Sequence, residues 1–89
     1  MTDYKHICRV CGYWDIDEPW GEDGKNPTFF YCPCCGVEHG YQDILPSSTK
    51  KFRQKWLENG AKWKWDEKER RPENWNLEEQ LKNIPEEYK

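Results

Sequence analysis

The stretches CRVCG (residues 8–12) and CPCCG (residues 32–36) decide the fold of this chain. Together they form the pattern C-x2-C-x20-C-x2-C, in which a glycine follows each cysteine pair. Two residues between cysteines let one tight turn present both sulfurs to a tetrahedral ion, at about 2.3 Å from each sulfur. A glycine can adopt positive φ without a Cβ clash, so the chain can turn away from the metal. The spacing therefore predicts one metal ion, bound by Cys8, Cys11, Cys32 and Cys35.

Three other residues near these pairs carry metal-binding atoms. Cys34 would break the C-x2-C turn if it were a ligand, so we expect a fifth thiol outside the ligand set. A reactive or redox-sensing thiol is the alternative, because a nearby metal can lower a thiol pKa. His6 and His39 flank the pairs, and we interpret both as polar neighbours. Four thiolates leave no position for water, so the metal is expected to be structural and the chain not to be an enzyme.

The composition indicates a small domain that needs the metal in order to fold. The chain has 89 residues, 35% of them charged, and its mean hydropathy is -1.26. A chain of this length buries too little apolar surface to be stable without a staple. Aromatic residues make up 16% of the chain and include six tryptophans. We therefore expect a small metal-dominated α+β fold with a core of aromatic rings around the ion.

Charge divides the chain into three blocks. Residues 1–49 carry three basic and eight acidic side chains, residues 50–71 carry nine and four, and residues 72–89 carry two and five. The loop at residues 15–28 holds most of the first block's acids together with two prolines and two glycines, which disfavours regular structure. This acidic loop could bind a basic partner protein. Its acidic residues are Asp15, Asp17, Glu18, Glu22 and Asp23.

The first half of the chain is expected to form the metal module, residues 1–45. Tyr4–Cys8 and Phe29–Cys32 are short aromatic or β-branched runs that lead into the two cysteine pairs. We expect them to be short antiparallel strands that pair as a ribbon. The result would be a zinc-ribbon or rubredoxin-like double knuckle.

Residues 46–89 are expected to form a tail of two short helices, packed on the module as one compact domain. Ser47 or Ser48 could cap the first helix, and Gly60 could end it. The second would begin with the capping-box pair Asn76 and Glu79 and end at Pro85. The residues expected to dock the tail are Phe52, Trp56, Leu57, Leu81 and Ile84.

The basic block suggests a possible nucleic-acid surface, because lysines and arginines alternate there with tryptophans that could stack on single-stranded bases. The alternative is that the tryptophans are core and the lysines a solvated face. The candidate residues are Lys50, Lys51, Arg53, Lys55, Trp63, Lys64, Trp65, Arg70 and Arg71. No small-molecule substrate is evident. No apolar run has the length of a signal peptide or membrane span, so the expected location is cytoplasmic, without a membrane partner.

Two families resemble this chain. CRVCGYWD followed by YCPCCG is similar to the CxxCGY and CPxCG knuckles of rubredoxins, which hold iron in four thiolates and carry electrons. Rubredoxins have a longer intervening loop and no helical tail, which favours zinc over iron here. CGYWDIDEP, CPCCG and an ENWN-L-x2-QL tail resemble the bacterial cysteine-rich CPCC proteins, although CPCCG is the first knuckle in many of those.

The second resemblance implies a zinc-binding protein with ligands Cys8, Cys11, Cys32 and Cys35 and no catalytic residue. Some CPCC proteins appear near toxin and immunity genes, which implies a protein partner and an immunity or antitoxin role. The expected function is thus a non-enzymatic zinc-stabilised module that binds a protein. The alternatives are a rubredoxin-like iron electron carrier and a single-stranded nucleic-acid binder through residues 50–71.

Overall fold

Short helices and turns make up the regular structure of the protein. The computed structural model describes residues 4–15, 17–22, 24–65 and 67–89. Three α-helices lie in these ranges: α1 (Pro46–Glu58), α2 (Glu67–Arg70) and α3 (Leu77–Leu81). Single 3-10 turns occur at Tyr4–His6 and Glu86–Tyr88.

The expected antiparallel strands are not found in the described ranges. Residues 4–6 form a 3-10 turn, and the β pairing is confined to two isolated bridges, Ile7 with Trp14 and Tyr31 with Glu38. Each bridge joins residues on the two sides of one knuckle, which we define as residues 8–12 (the first knuckle) and residues 32–36 (the second knuckle). The backbone before each cysteine pair therefore pairs with the residues just after that pair, and does not form a ribbon between the knuckles.

The two knuckles share one hydrogen-bonding pattern. In the first, the Cys8 N–H donates to the Tyr13 carbonyl and the Gly12 N–H donates to the Cys8 carbonyl, both at 2.9 Å. In the second, the Cys32 N–H donates to the Val37 carbonyl at 2.9 Å and the Gly36 N–H to the Cys32 carbonyl at 2.8 Å. Gly12 and Gly36 both have φ of 83°, a conformation that disfavours other residues. The chain thus builds the same metal-binding turn twice.

Helix α1 begins one residue before the expected caps. Leu45 occupies the N-cap position without a side-chain cap, and Pro46 stands in the first turn, where its missing N–H needs no partner. The hydroxyls of Ser48 and Thr49 donate to the Leu45 carbonyl, so Ser48 lies inside the first turn and does not cap the helix. At the other end, Gly60 has φ of 92° and its N–H donates to the Leu57 carbonyl.

The docking face of α1 passes through Thr49 and Trp56, both buried, with Phe52 partly buried against the core. These residues are spaced by three, four and seven positions, which places them on one side of a helix. Leu57, which we expected on this face, is 39% exposed. It follows Trp56 directly, and one residue of α-helix turns its side chain about 100° away from that face.

Helix α3 starts with the predicted cap. The Asn76 side chain accepts a hydrogen bond from the Glu79 N–H at 3.0 Å. The helix ends at Leu81, earlier than expected, and single turns continue the chain to Ile84, which is buried. The last turn of α3 lies against the first knuckle, since a Cβ built on Gly12 would stand 2.1 Å from the Gln80 carbonyl oxygen.

Candidate metal centre

The four cysteines with ligand spacing meet at one buried point. Their sulfurs all lie within 4.8 Å of one another. Sulfur pairs from different knuckles are 3.7 Å apart for Cys8 and Cys35 and 3.6 Å apart for Cys11 and Cys32. A tetrahedral ion with 2.3 Å bonds to sulfur requires sulfurs about 3.8 Å apart. The donor set therefore fits one tetrahedral metal ion.

The thiols differ in how readily they lose their protons. Burial raises the pKa of the Cys32 thiol, but hydrogen bonds from Cys11, Cys35 and Cys8, together with the Cys35 backbone N–H, outweigh burial and lower it well below its usual value. Burial raises the pKa of Cys11 well above its usual value, and the bonds with other thiols add to this effect. Without a metal, hydrogen bonds among the buried thiols thus favour a thiolate within the cluster. A metal that binds all four as thiolates must displace the remaining protons, so its affinity falls in acid.

An arginine from α1 supports the first knuckle. The Arg53 guanidinium donates from Nε to the Val10 carbonyl at 2.6 Å and from Nη2 to the Arg9 carbonyl at 3.0 Å. Nη2 also donates to the Tyr88 carbonyl. Arg9 and Val10 are the two residues between Cys8 and Cys11. Arg53 therefore fixes the ligand turn from outside and ties it to the C-terminal 3-10 turn.

The backbone of the segment after α1 supports the second knuckle. It binds the carbonyls of the two residues between the cysteines, as Arg53 does in the first knuckle. The Lys64 N–H lies 2.9 Å from the Pro33 carbonyl and 3.1 Å from the Cys34 carbonyl, and the Trp65 N–H donates to Pro33 at 2.9 Å. Pro33 and Cys34 are the two residues between Cys32 and Cys35. Both ligand turns thus have their outer carbonyls satisfied by the tail.

Cys34 lies outside the ligand group and is fully buried. The Gln80 side chain donates from Nε2 to the Cys11 carbonyl at 3.0 Å, and the same nitrogen is 3.4 Å from the Cys34 sulfur. Trp75 Nε1 donates to Gln80 Oε1 at 2.6 Å. This chain of contacts connects α3 to both knuckles. Sequence reasoning missed Gln80, and only its place in the QL tail motif points to it.

A second buried polar group lies near the metal centre. His39 Nδ1 is 3.0 Å from Asp43 Oδ2, and neither residue is exposed by more than 4%. Trp20 Nε1 and the Gly40 N–H also donate to the Asp43 carboxylate, at 2.9 and 2.7 Å. Burial lowers the His39 pKa, but the bond to Asp43 and the nearby charges of Cys8, Asp43 and Asp15 outweigh it and raise the pKa. The i,i+4 spacing was the only sequence signal for this pair.

Neither histidine belongs to the four-residue metal group in the described part of the chain. His6 Nδ1 lies 2.8 Å from the Asp15 carbonyl oxygen, and its ring stacks on Trp14 with centroids 5.0 Å apart. Both histidines are thus polar neighbours of the knuckles, as the sequence indicates.

The nine residues considered as a binding surface have different surroundings. Arg53 supports the first knuckle, and Trp63 packs between Tyr13 and Trp75, with centroids 5.3 and 5.9 Å apart. Arg70 pairs with Asp15 at 3.5 Å. Arg71 pairs with Glu67 at 2.9 Å. The remaining five are exposed: Lys50, Lys51, Lys55, Lys64 and Trp65.

Two curated proteins of Bacillus subtilis (strain 168) are similar to this chain. YozI is 32% identical over 73 residues, which cover 64% of this chain and 60% of YozI. YoaQ is 29% identical over 75 residues, which cover 67% of this chain and 64% of YoaQ. Both relatives are described as uncharacterized, and the chain spans less than two thirds of the length of each.

No family model matches the chain, and no solved structure matches it. Among the described residues, no helix combines the length and apolar character needed to cross a membrane. The four clustered thiols of this cysteine-rich module can hold one metal ion.

Proposed function

We propose that this chain is a zinc-stabilised, non-enzymatic module that binds a protein partner. Zinc suits four thiolates in a tetrahedral arrangement, and such a closed site leaves no position for a reacting water molecule. The metal then serves to hold the two knuckles and the tail together. The metal site then acts as a scaffold, and the surface of the chain binds the partner.

The observation that carries the proposal is a group of exposed aromatic rings beside the second knuckle. This aromatic surface consists of Phe29, Phe30, Tyr31 and Trp65. Each is between 41% and 58% exposed, although the chain is strongly hydrophilic overall. Exposed aromatic residues in a group are typical of protein interfaces, where they contribute much of the binding energy.

The aromatic surface is held in place by the metal module. Tyr31 directly precedes the ligand Cys32, and its ring contacts Trp65 edge to face with centroids 5.4 Å apart. The Trp65 N–H donates to the Pro33 carbonyl inside the second knuckle. Phe29 has φ of 61°, a conformation that costs energy for a bulky residue. The Tyr31 and Trp65 rings, fixed in this way, lose little entropy on binding, which favours an interface.

An immunity or antitoxin role is the specific form of this proposal. It rests on the resemblance to CPCC proteins and on the acidic loop, whose carboxylates could cover a basic surface of a toxin. The alternative of single-stranded nucleic acid depends on tryptophans in residues 50–71. Trp56 is buried and Trp63 is half-buried, so stacking there would use mainly Trp65. That distribution supports a protein partner over a nucleic acid.

A rubredoxin-like electron carrier is the second candidate, because iron and zinc accept the same four thiolates. The test is metal analysis with absorption spectroscopy on protein produced in cells supplied with both metals. We expect a colourless protein with one zinc per chain. A red protein that contains iron and is reduced reversibly would replace the scaffold proposal with electron transfer.

Protein binding is tested with an affinity-tagged chain expressed in the cells that naturally produce it. Proteins that copurify with the wild type are quantified and compared with those of the double variant Phe30→Ser/Tyr31→Ser. The matched control is Leu57→Ser, which changes an exposed apolar residue on α1. Zinc per chain is measured for each protein, so that loss of binding can be separated from loss of folding.

We expect one partner to be depleted at least tenfold with the double variant and retained with the control. That partner, purified, should then bind the wild type in a calorimetric titration. The proposal fails if every copurifying protein is recovered equally with the wild type and the double variant.

A further inference from the structure

A pocket of about 260 Å³ opens next to the aromatic surface. Phe30, Tyr31 and Trp65 line it together with Asp15, Asp17 and His39. Its volume suits one side chain better than a whole cofactor, because pockets for drug-sized ligands start at about 300 Å³. The pocket therefore has aromatic walls, carboxylates and one buried imidazole available to a single inserted group.

The buried imidazole has one ring nitrogen left for a ligand. His39 is 4% exposed, and its Nδ1 faces the Asp43 carboxylate. A carboxylate accepts hydrogen bonds, so the Nδ1 carries a proton. Above the raised pKa of His39 the ring is neutral, and its Nε2 is then an acceptor. Among the described residues no partner is found for Nε2. The pocket thus offers a hydrogen-bond acceptor that a donor group on a ligand would satisfy.

The charges around the pocket favour a cation. Asp15 and Asp17 line it, together with Pro33 of the second knuckle. The four-cysteine site to which that knuckle belongs would carry a net charge of about -2 with a divalent ion bound to four thiolates. The aromatic faces add attraction for a cation placed over them. Carboxylates, ring faces and an imidazole acceptor all select a positively charged donor.

An internal arginine already contacts this pocket. Arg70 lines it and lies 3.5 Å from Asp15 Oδ2, and its side chain, which also hydrogen-bonds Tyr13, is 41% exposed. Arg70 ends α2, a single turn of helix without a buried residue. Elsewhere the protein holds Arg9 between the rings of Trp20 and Tyr88, at 3.9 and 4.5 Å from their centroids. Guanidinium groups on aromatic faces are thus a contact that this protein uses for its own stability.

We propose that the pocket receives an arginine side chain of the protein partner, which takes the place of Arg70 beside Asp15. The inference rests on the proposed function and names the chemistry of the partner's anchoring residue. A planar guanidinium has five donors and can lie against Tyr31 and Trp65 while it donates to Asp17 and to His39 Nε2. The neighbouring rings of the aromatic surface then cover the apolar surroundings of that arginine.

The test uses the zinc-loaded protein at a pH above the His39 pKa, which is first measured by an NMR titration of that imidazole, and follows its amide and indole signals by NMR. The probe is the peptide acetyl-Gly-Arg-Gly-amide. The control peptide carries citrulline, which has the shape of arginine without its charge. We expect the arginine peptide to bind with a millimolar Kd and to shift the signals of Tyr31, His39 and Trp65. The citrulline peptide should bind at least fivefold more weakly.

Two variants test the contacts themselves. Asp17→Asn should weaken binding of the arginine peptide at least threefold, whereas Glu78→Gln, which makes the same charge change on α3, should leave it unchanged. Arg70→Gln should strengthen binding at least threefold, because it removes the internal competitor. Well-dispersed spectra establish that each variant is folded.

The inference is overturned if both peptides bind equally, if the Asp17 and Glu78 variants behave alike, or if Arg70→Gln does not strengthen binding. Its failure differs from that of the proposed function. If a partner depends on Phe30 and Tyr31 but the arginine peptide does not bind, the proposed protein interface stands and the arginine anchor is refuted. If the arginine peptide binds but no such partner is found, the chemistry of the pocket stands and the proposed function is refuted.

Discussion

Cys34 occupies in the second knuckle the position that Val10 occupies in the first. Each residue is the third of its Cys-x-x-Cys turn, and each is completely buried. Their backbone carbonyls are both held by the tail, Val10 by Arg53 and Cys34 by Lys64. The fifth cysteine therefore fills the place of a small apolar residue beside the metal.

Replacing this cysteine with its counterpart tests that assignment. Cys34→Val should keep one metal per chain and lower the free energy of unfolding by no more than about 3 kcal/mol, because valine puts two methyl groups where one sulfur fills a fully buried position. Metal analysis and urea denaturation measure the two quantities. Cys11→Val is the matched variant and should lose the metal. Loss of metal in the Cys34 variant would place Cys34 in the ligand set.

The two knuckle glycines form a natural pair for a second prediction. Gly12 and Gly36 have the same φ, so alanine costs about 1–2 kcal/mol at either position for its conformation alone. A Cβ at Gly12 would also stand 2.1 Å from the Gln80 carbonyl, whereas at Gly36 the nearest atom is Lys64 Cγ at 3.1 Å, on a flexible side chain. Gly12→Ala should therefore lower the unfolding free energy by at least about 2 kcal/mol more than Gly36→Ala. Equal losses in urea denaturation would contradict the packing of α3 on the first knuckle.

Arg53 provides a third prediction. Arg53→Met removes hydrogen bonds to the carbonyls of Arg9, Val10 and Tyr88. Since the guanidinium is only partly buried, we expect a loss of about 2–4 kcal/mol in unfolding free energy and not the sum of three fully buried charged bonds. Lys51→Met, on the exposed side of α1, should change stability by no more than about 0.5 kcal/mol. Urea denaturation of the metal-loaded proteins measures both. Similar values for the two variants would show that Arg53 is a surface charge.

The His39–Asp43 pair predicts a pH dependence. The folded pKa of His39 is raised above the unfolded value of about 6.5, so the pair stabilises the fold fully below that pH. The stabilisation is lost as pH rises through the folded pKa. The difference in unfolding free energy between the wild type and His39→Gln should thus be larger at pH 6 than at pH 9. Acid also weakens metal binding, but this effect is common to both proteins. An NMR titration that gives His39 a pKa below 6.5 would refute the prediction.

Metal removal should unfold the tail as well as the knuckles. Structural zinc contributes about 10–16 kcal/mol in small peptides, more than a chain of this length can supply from apolar burial. A zinc chelator should abolish the near-UV circular dichroism of the tryptophans and most of the helical signal, and added zinc should restore both. A metal-free protein with the same dispersed NMR spectrum would show that the core is stable alone.

The sequence predicted the parts of the structure that depend on local chemistry. Four cysteines at ligand spacing come together because the spacing reflects the geometry of a tight turn around an ion. Asn76 caps α3 because an N-cap bond reaches only three residues along the chain. The predicted caps of α1, Ser47 or Ser48, were wrong, because the helix begins at Pro46, whose fixed φ suits the first turn.

Contacts between distant residues could not be predicted in the same way. Arginine is usually a surface residue, so nothing in the sequence indicated that Arg53 supports a ligand turn. That support depends on the position of α1 across the first knuckle. Leu57 looked like core because it is apolar, yet the docking face is set by Trp56 and Thr49. The expected ribbon is not found among the described residues, where each β-prone run pairs instead with the backbone just after its own cysteine pair.

The supports that the tail gives to both ligand turns affect how long the metal stays bound. Arg53 holds one turn and the backbone of Lys64 holds the other, and neither residue supplies a ligand. A ligand turn that opens to release an ion would strain or break these outer bonds. We therefore expect residues 53–65 to slow the loss of a bound metal. A fragment that contains all four cysteines but ends at residue 45 would exchange its ion faster than the whole chain.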